Sequence, residues 1–234
     1  MHKAAALWAA VVLLGLAAVS VQGADSNPRD LEGNYLYKVT TVRAATGSLS
    51  DLLDWLATRR KEAPFIMRHS QGDQWDLMLI TPLETWAAYA TRIRPIALPD
   101  RFVAFEEDHF AWGPRLPALR EAYDDNAFFH IEMFNAAPGK GDVLLEQRRM
   151  ENAYLAATGQ TTNMIFRRAA GSDVDVFTIG FHEDFEAFAA PGRFSDQNKE
   201  AAAVAAGFKD RADISFYLRS LLSSHHDTLA VKVQ

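Results

Sequence analysis

The feature that most constrains the fold of this chain is an internal repeat. Residues 66–90 align without a gap on residues 165–189, at a constant offset of 99 positions. The identical positions include Ile66, Arg68, Gly72, Asp76 and Ala90 with their partners. Upstream, residues 34–39 align on residues 126–131 at an offset of 92, so the second copy carries seven additional residues around positions 158–163. Such self-similarity predicts two copies of one supersecondary unit.

Both copies contain the same series of expected elements. Aromatic and β-branched runs predict strands, and apolar residues at helical spacing predict helices. The expected elements are first strands at 35–43 and 128–134, helices from Ser48 and Asp142, hairpin turns at 70–73 and 169–172, third strands at 75–80 and 174–181, and second helices from Glu84 and Glu183. Each copy is therefore predicted to begin with a β-α-β-β-α order.

The repeat also predicts the domain boundaries. The first repeat is expected at residues 24–92 and the second at residues 126–234, which ends in a helix at 198–208 and a fourth strand at 228–233. The sequence shows no matching fourth strand in the first copy. Because residues 93–125 are rich in proline, they are predicted to be a connector of mixed helix and loop.

The first 23 residues have the layout of a secretory signal peptide. Lys3 precedes an apolar stretch from Ala4 to Val19, and Val21 and Gly23 occupy the −3 and −1 positions. An uncleaved membrane anchor is the alternative, since the stretch is near the lower length limit for a span. Cleavage would give a periplasmic or secreted protein without stable membrane insertion.

The composition excludes several functional classes. The chain has no cysteine, so disulfides and thiolate chemistry are excluded. The formal charge is −6, and it becomes −7 without Lys3 because residues 1–23 contain no acidic residue. A mildly acidic chain without a basic run is a poor binder of phosphate backbones, so no nucleic-acid partner is expected.

These patterns resemble the dimeric α+β barrel superfamily, which includes NIPSNAP-type proteins, antibiotic-biosynthesis-type monooxygenases and EthD-type proteins. The resemblance covers residues 34–90 and 126–233, and its clearest local match is the aromatic and acidic segment 177–188. It implies an α+β fold in which two tandem ferredoxin-like units (β-α-β-β-α-β) form one barrel, and it leaves a homo-oligomer open. Residues 128–134, 147–155 and 217–230 also resemble an uncharacterised bacterial family of this type, which implies no activity.

The strand at 128–134 contains the strongest candidate for chemistry. Alternation places His130 and Glu132 on one face of the strand and Phe129, Ile131 and Met133 on the other. We expect the apolar residues to pack on helices and the polar pair to point into the barrel. There Glu132 could orient His130 as a general base, so both are predicted catalytic residues. A solvated sheet face or a structural hydrogen-bonded pair is the alternative.

Five further residues are predicted to bind a small-molecule substrate. Lys38 and Thr40 align on the polar pair, so the barrel interior is expected to be polar in the first copy as well. Arg148 and Asn152 lie on the predicted helix, and Tyr154 is near the seven-residue insertion, where it could line the barrel mouth. For these three residues the alternative is a salt-bridged solvent face or a simple loop.

No known ligand spacing predicts a metal or a cofactor. His182 with Glu183 and Glu186 lacks the second histidine of a metalloprotease helix. His109, or one of the adjacent His225 and His226, could nevertheless hold a divalent metal or a haem iron, because neutral imidazole ligates both.

Three functional hypotheses follow from the sequence. The first is an exported, small-molecule-binding barrel with cofactor-independent oxygenase or isomerase chemistry at His130 and Glu132. The second is a haem- or metal-dependent enzyme, and the third is a non-catalytic binding module.

Overall fold

A computed structural model describes residues 28–62, 64–71, 73–190 and 194–233. The predicted signal peptide lies outside the described residues. The strands are β1 (Tyr35–Ala44), β2 (Phe65–Gln71), β3 (Leu77–Glu84), β4 (Val103–Gly113), β5 (Phe128–Ala136), β6 (Asn163–Gly171), β7 (Val176–His182) and β8 (Leu222–Lys232). The helices are α1 (Pro28–Leu31), α2 (Leu49–Ala57), α3 (Trp86–Thr91), α4 (Leu116–Asp125), α5 (Gly141–Ala157), α6 (Phe185–Ala189), α7 (Asp196–Ala205) and α8 (Asp213–Ser220), with a 3₁₀ turn at Asp100–Phe102. Among the described residues, no helix has the length and apolar character needed to span a membrane.

The strands form one closed antiparallel barrel in the order β1-β3-β2-β8-β5-β7-β6-β4. The pairs β2–β8 and β4–β6 close it by joining strands of the N-terminal part to strands of the C-terminal part. Closure leaves no unpaired sheet edge, so every strand is hydrogen-bonded on both sides. The expected α+β class and barrel are confirmed.

The two halves of the barrel have the same internal strand order. The first four strands lie in the order β4-β1-β3-β2, and the last four lie in the matching order β8-β5-β7-β6. The aligned Asp76 and Asp175 also act alike, since each carboxylate accepts a hydrogen bond of 2.8 Å from a backbone N–H at the end of the neighbouring strand, Ala44 or Ala136. These two aspartates therefore join the residue before β3 or β7 to the end of β1 or β5 in the same way in both halves.

The segment 93–125 differs from the predicted helix and loop connector. It contains β4, which pairs with β1 and β6, and then α4. β4 and β8 are both eleven residues long and occupy matching places. The acidic run Glu106–Asp108 obscured the strand, because its residues are exposed and break the apolar pattern. Pairing with two neighbours, rather than alternation, forms β4. β8 begins at Leu222, earlier than the predicted residue 228.

The barrel interior is filled with apolar side chains. One buried cluster contains Tyr37, Met67, Ile80, Ala111, Ile131, Phe166, Phe177 and Ala230, one residue from each strand. α4 closes one end, where the Tyr123 hydroxyl donates to the Ile66 carbonyl oxygen at 2.8 Å. An eight-stranded barrel is just wide enough for such side chains to fill it.

The outer faces of the barrel carry helices. α2 packs on Val42, Ile66 and Leu77, whereas α5 packs on Phe134 and Ile165. The main core therefore lies inside the barrel, and smaller cores lie under the helices.

Candidate functional site

The site lies on the outer face of β5, β7 and β8, beneath α5, and not in the barrel interior. We call it the outer polar cluster. Its members are His130, Glu132, Arg148, Glu151, Thr178, His182 and Asp227. Cross-strand pairing sets Glu132 beside Thr178 on β7 and beside Asp227 on β8, so three adjacent strands supply side chains to one patch.

This position corrects the predicted orientation of the β5 side chains. His130 and Glu132 do share a face, but Phe129, Ile131 and Met133 fill the barrel while the polar pair points outward. The predicted alternation is confirmed, but the prediction that the polar pair points into the barrel and the apolar residues pack on helices is wrong. The reason is that the barrel interior forms the largest apolar core, which takes Phe129, Ile131 and Met133, the face of β5 that has no polar side chain.

His130 is paired with a carboxylate from β8. Its Nε2 lies 3.6 Å from Asp227 Oδ1, a separation of an ion pair rather than of a short hydrogen bond. Burial disfavours the charged imidazole, but Asp227, with Glu132 and Glu151, outweighs burial and raises the pKa of His130. His130 in turn holds the pKa of Asp227 below its usual value. The His130 side chain is 27% exposed, so a ligand can reach it.

Glu132 is held in place by two neighbours. Its Oε2 accepts a hydrogen bond of 3.1 Å from Thr178 Oγ1 and lies 3.5 Å from Arg148 Nη1. Arg148, whose side chain is 1% exposed, also pairs with Glu151 and stacks over the Phe134 ring at 4.7 Å. Burial raises the pKa of Glu151, and Arg148 offsets this only in part. Arg148 is therefore an internal counter-ion for two carboxylates.

An aromatic wall borders the cluster. The Phe188 ring lies 5.4 Å from the His130 ring and 5.2 Å from the His182 ring. Gly180, opposite His130 on β7, leaves room for this arrangement, since an added Cβ would lie 2.8 Å from Asn163 Oδ1 and 3.1 Å from His182 Nε2. Burial and the nearby His130 lower the pKa of His182. The patch therefore combines a histidine of raised pKa, a histidine of lowered pKa and an apolar wall.

The other predicted substrate-binding residues are distributed around the molecule. Asn152 faces the sheet but fixes the backbone of Asn163 through two hydrogen bonds, of 2.7 and 2.8 Å. Tyr154 packs against α7 with Ala203 and Phe208, away from the outer polar cluster.

Lys38 and Thr40 lie on the far side of the barrel from His130. β1 and β5 are separated by three strands in either direction, and Lys38 and Thr40 point outward. Both contact Asp108. Lys38 Nζ lies 2.8 Å from Asp108 Oδ2, and Thr40 Oγ1 donates a hydrogen bond of 2.6 Å to Asp108 Oδ1. The structure therefore does not bring them together with His130 and Glu132.

The three histidines considered for metal or haem lie in different surroundings. His109 is buried inside the barrel, and burial lowers its pKa to about 4 despite the opposing charge of Asp108. His225 and His226 are on opposite faces of β8: His225 contacts Asp227 at 3.4 Å outside, and His226 lines a cavity inside.

A different group has donor atoms close enough for a metal ion. One donor atom each of His130, Glu132 and Asp227 lies within 4.8 Å of the other two. One imidazole and two carboxylates are donors that suit a divalent cation.

Sequence reasoning missed Asp227, Glu151 and Thr178 as members of the site. Asp227 lies 97 positions from His130 in the chain, and only the β5–β8 pairing brings them together. The alternation of side chains along β8 was a usable signal. It places Asp227 and His225 on one face of the strand and His226 on the other.

Comparisons with known proteins identify the fold. No protein-family model matches the chain, and no curated protein matches it. Among solved structures, an anthrone oxidase-like protein aligns with a TM-score of 0.57 at 11% identity, over 87% of this chain and 93% of that chain. A candidate monooxygenase from Fusobacterium nucleatum subsp. nucleatum aligns with a TM-score of 0.53 at 7% identity, over 86% of this chain and 94% of that chain. A candidate monooxygenase from Lactobacillus acidophilus aligns with a TM-score of 0.50 at 7% identity, over 86% of this chain and 95% of that chain.

At these identities the likeness shows the α+β barrel fold alone. The predicted ferredoxin-like barrel is confirmed in this form, whereas membership of the NIPSNAP or EthD types stays a prediction.

Proposed function

We propose that this protein is a small-molecule enzyme in which His130, paired with Asp227, removes an acidic proton from the substrate. The observation that carries the proposal is the partly exposed imidazole with a raised pKa, beside a carboxylate at 3.6 Å and an aromatic wall. A general base works best when its pKa is near the working pH, and the Asp227 pairing moves His130 toward that range.

The wall indicates the class of substrate. A flat, partly aromatic molecule with an acidic C–H or O–H group would stack on Phe188, with Phe185 beside it, and place that group near His130 Nε2. Glu132, held by Arg148 and Thr178, is then a positioning residue that helps to keep the imidazole charged after proton transfer.

The carbanion or enolate formed in this step has two outcomes. Return of the proton to another carbon atom gives an isomerase. Attack on molecular oxygen instead forms a carbon-bound hydroperoxide. Loss of water then converts the original CH₂ group into a ketone, so that one oxygen atom of O₂ stays in the ketone and the other leaves as water. The oxidase and monooxygenase names of the similar structures support the second outcome.

Anthrone is a suitable probe because its CH₂ protons are acidic and its rings are flat. Anaerobic exchange of these protons with D₂O, followed by NMR, reports the base step without oxygen. Oxygen uptake then reports the second step. We expect exchange above the buffer rate, and a His130→Ala variant should lose at least about 100-fold of it, as is usual for a missing general base.

The matched control is His226→Ala, which removes a histidine from the opposite face of the β8 strand. It should exchange protons as the unaltered protein does. Equal rates for His130→Ala and the unaltered protein, or no exchange of anthrone, a naphthol or a 1,3-diketone, would reject the proposal.

A metal-dependent enzyme is the second candidate function, favoured by the close donor atoms of His130, Glu132 and Asp227. Calorimetric titration with Zn²⁺ or Mn²⁺ should then show one saturable site per chain that is weakened by Glu132→Gln and by Asp227→Asn. Metal analysis and a visible absorption spectrum test the metal and haem alternatives together. Colourless, metal-free protein that gives no binding heat would eliminate both.

We further propose that the two halves arose by duplication and that the protein is exported. The matching strand orders and the paired roles of Asp76 and Asp175 support duplication. The layout of residues 1–23 supports export to the periplasm or medium, which N-terminal sequencing of the purified protein would test. Light scattering would decide whether the protein is a homo-oligomer.

A further inference from the structure

A second candidate site lies inside the open end of the barrel, opposite the end closed by α4. We call it the barrel mouth. It is a cavity of about 120 Å³ whose lining includes Thr41, Trp75, Glu107, His109, Met133 and His226. A water needs about 10–15 Å³ by the same measure, so a molecule of several non-hydrogen atoms fits.

Two buried polar groups in this lining lack partners. Trp75 is 2% exposed and His109 is 3% exposed, and neither Trp75 Nε1 nor His109 Nε2 has a hydrogen-bond partner among the described residues. Buried polar atoms are nearly always paired in folded proteins, so two unpaired polar groups among the residues that line one cavity mark it as a candidate ligand site. The indole can only donate, whereas a neutral imidazole offers one donor and one acceptor.

The charge of the mouth selects for a cation. Asp73, Glu107 and Asp173 contribute carboxylates, and the lining contains no Lys or Arg among the residues that the structure describes. The Asp73 side chain is nearly buried, and its Oδ1 lies 3.9 Å from His226 Nδ1. Carboxylates in a concave, partly dry site attract a positive charge strongly.

We propose that the barrel mouth binds a small organic ammonium ion that carries a hydroxyl group, such as a short amino alcohol. The ammonium group pairs with the carboxylates of Asp73 and Glu107. The hydroxyl group can accept a hydrogen bond from the Trp75 indole N–H and donate one to the His109 imidazole, the two lining groups without a partner among the described residues. This site is independent of the outer polar cluster.

The test uses ethanolamine, followed through the indole N–H resonance of Trp75 in two-dimensional ¹⁵N NMR, with Trp75→Phe to identify the resonance. Ethanolamine should shift it saturably. Ethylamine, which lacks the hydroxyl, and ethylene glycol, which lacks the charge, should each bind at least about tenfold more weakly. In calorimetry, Trp75→Phe should remove the preference for ethanolamine over ethylamine.

Adjacent glutamates on β4 provide the matched control. Glu107 lines the mouth, whereas Glu106 is exposed and lies on the opposite face of the strand. Glu107→Gln should weaken ethanolamine binding, and Glu106→Gln and His130→Ala should not. Equal effects of the two Gln variants, binding of acetate as tight as that of ethanolamine, or no saturable shift because the mouth holds only water would each overturn the proposal.

Discussion

Replacing Arg148 by methionine removes the buried guanidinium that lies between the carboxylates of Glu132 and Glu151. Methionine retains the length and apolar bulk of the side chain, so the change isolates the charge. Breaking a buried ion pair by removing one partner typically costs about 3–5 kcal/mol of unfolding free energy, because an uncompensated charge remains. We expect this cost at neutral pH, with a further contribution from the lost stacking over Phe134.

The cost should depend on pH in a definite direction. The pKa of Glu151 is already raised by burial, and the loss of Arg148 raises it further. A group with a raised folded-state pKa contributes stability that is complete below its unfolded value, near 4.5 for Glu151, and is lost as the pH rises through the folded-state value. The penalty of Arg148→Met should therefore shrink as the pH is lowered from about 8 to about 5.

Urea unfolding followed by circular dichroism measures both effects. Arg149→Met is the matched control on the same helix, because Arg149 is 45% exposed and its pairs with Glu32 and Glu146 are superficial. It should cost at most about 1 kcal/mol. Adding Glu151→Gln to Arg148→Met should restore at least about 1 kcal/mol. Equal costs for the two arginine variants, a penalty independent of pH, or no rescue by Glu151→Gln would refute the assignment of Arg148 as an internal counter-ion.

Three other perturbations have definite outcomes. Gly113→Ala should destabilise the fold by about 1–3 kcal/mol in thermal unfolding, because the new Cβ would overlap the Phe166 ring in the filled barrel. Asp227→Asn should lower the pKa of His130 in an NMR titration, because the carboxylate then no longer offsets the effect of burial. Its effect on stability should be largest below the ordinary histidine pKa of 6.5 and should decline as the pH rises through the folded-state pKa of His130. Asp175→Asn should lower the unfolding free energy by about 1–3 kcal/mol, because it weakens the hydrogen bond from the Ala136 N–H. The equivalent Asp76→Asn should have a similar cost, and strongly unequal costs would contradict matched roles of the two aspartates.

Local patterns were sufficient for much of the fold. Gly47 and Gly139, aligned by the repeat, both adopt positive φ, at 81° and 75°, in the turns that lead into α2 and α5. Such turns require glycine, so the residue type alone indicates them. β4 could not be found in the same way, because its acidic residues hide the alternation and its pairing partners lie far away in the chain.

The sequence by itself determined that His130 and Glu132 share one face of β5, because successive side chains of a strand alternate whatever surrounds them. Only the tertiary structure decided that this face looks outward, toward Arg148, and that Asp227 completes it. Alternation defines two faces without saying which one is enclosed. That choice depends on the total apolar surface that eight strands bury in a common interior, a property of the closed barrel and of no single segment.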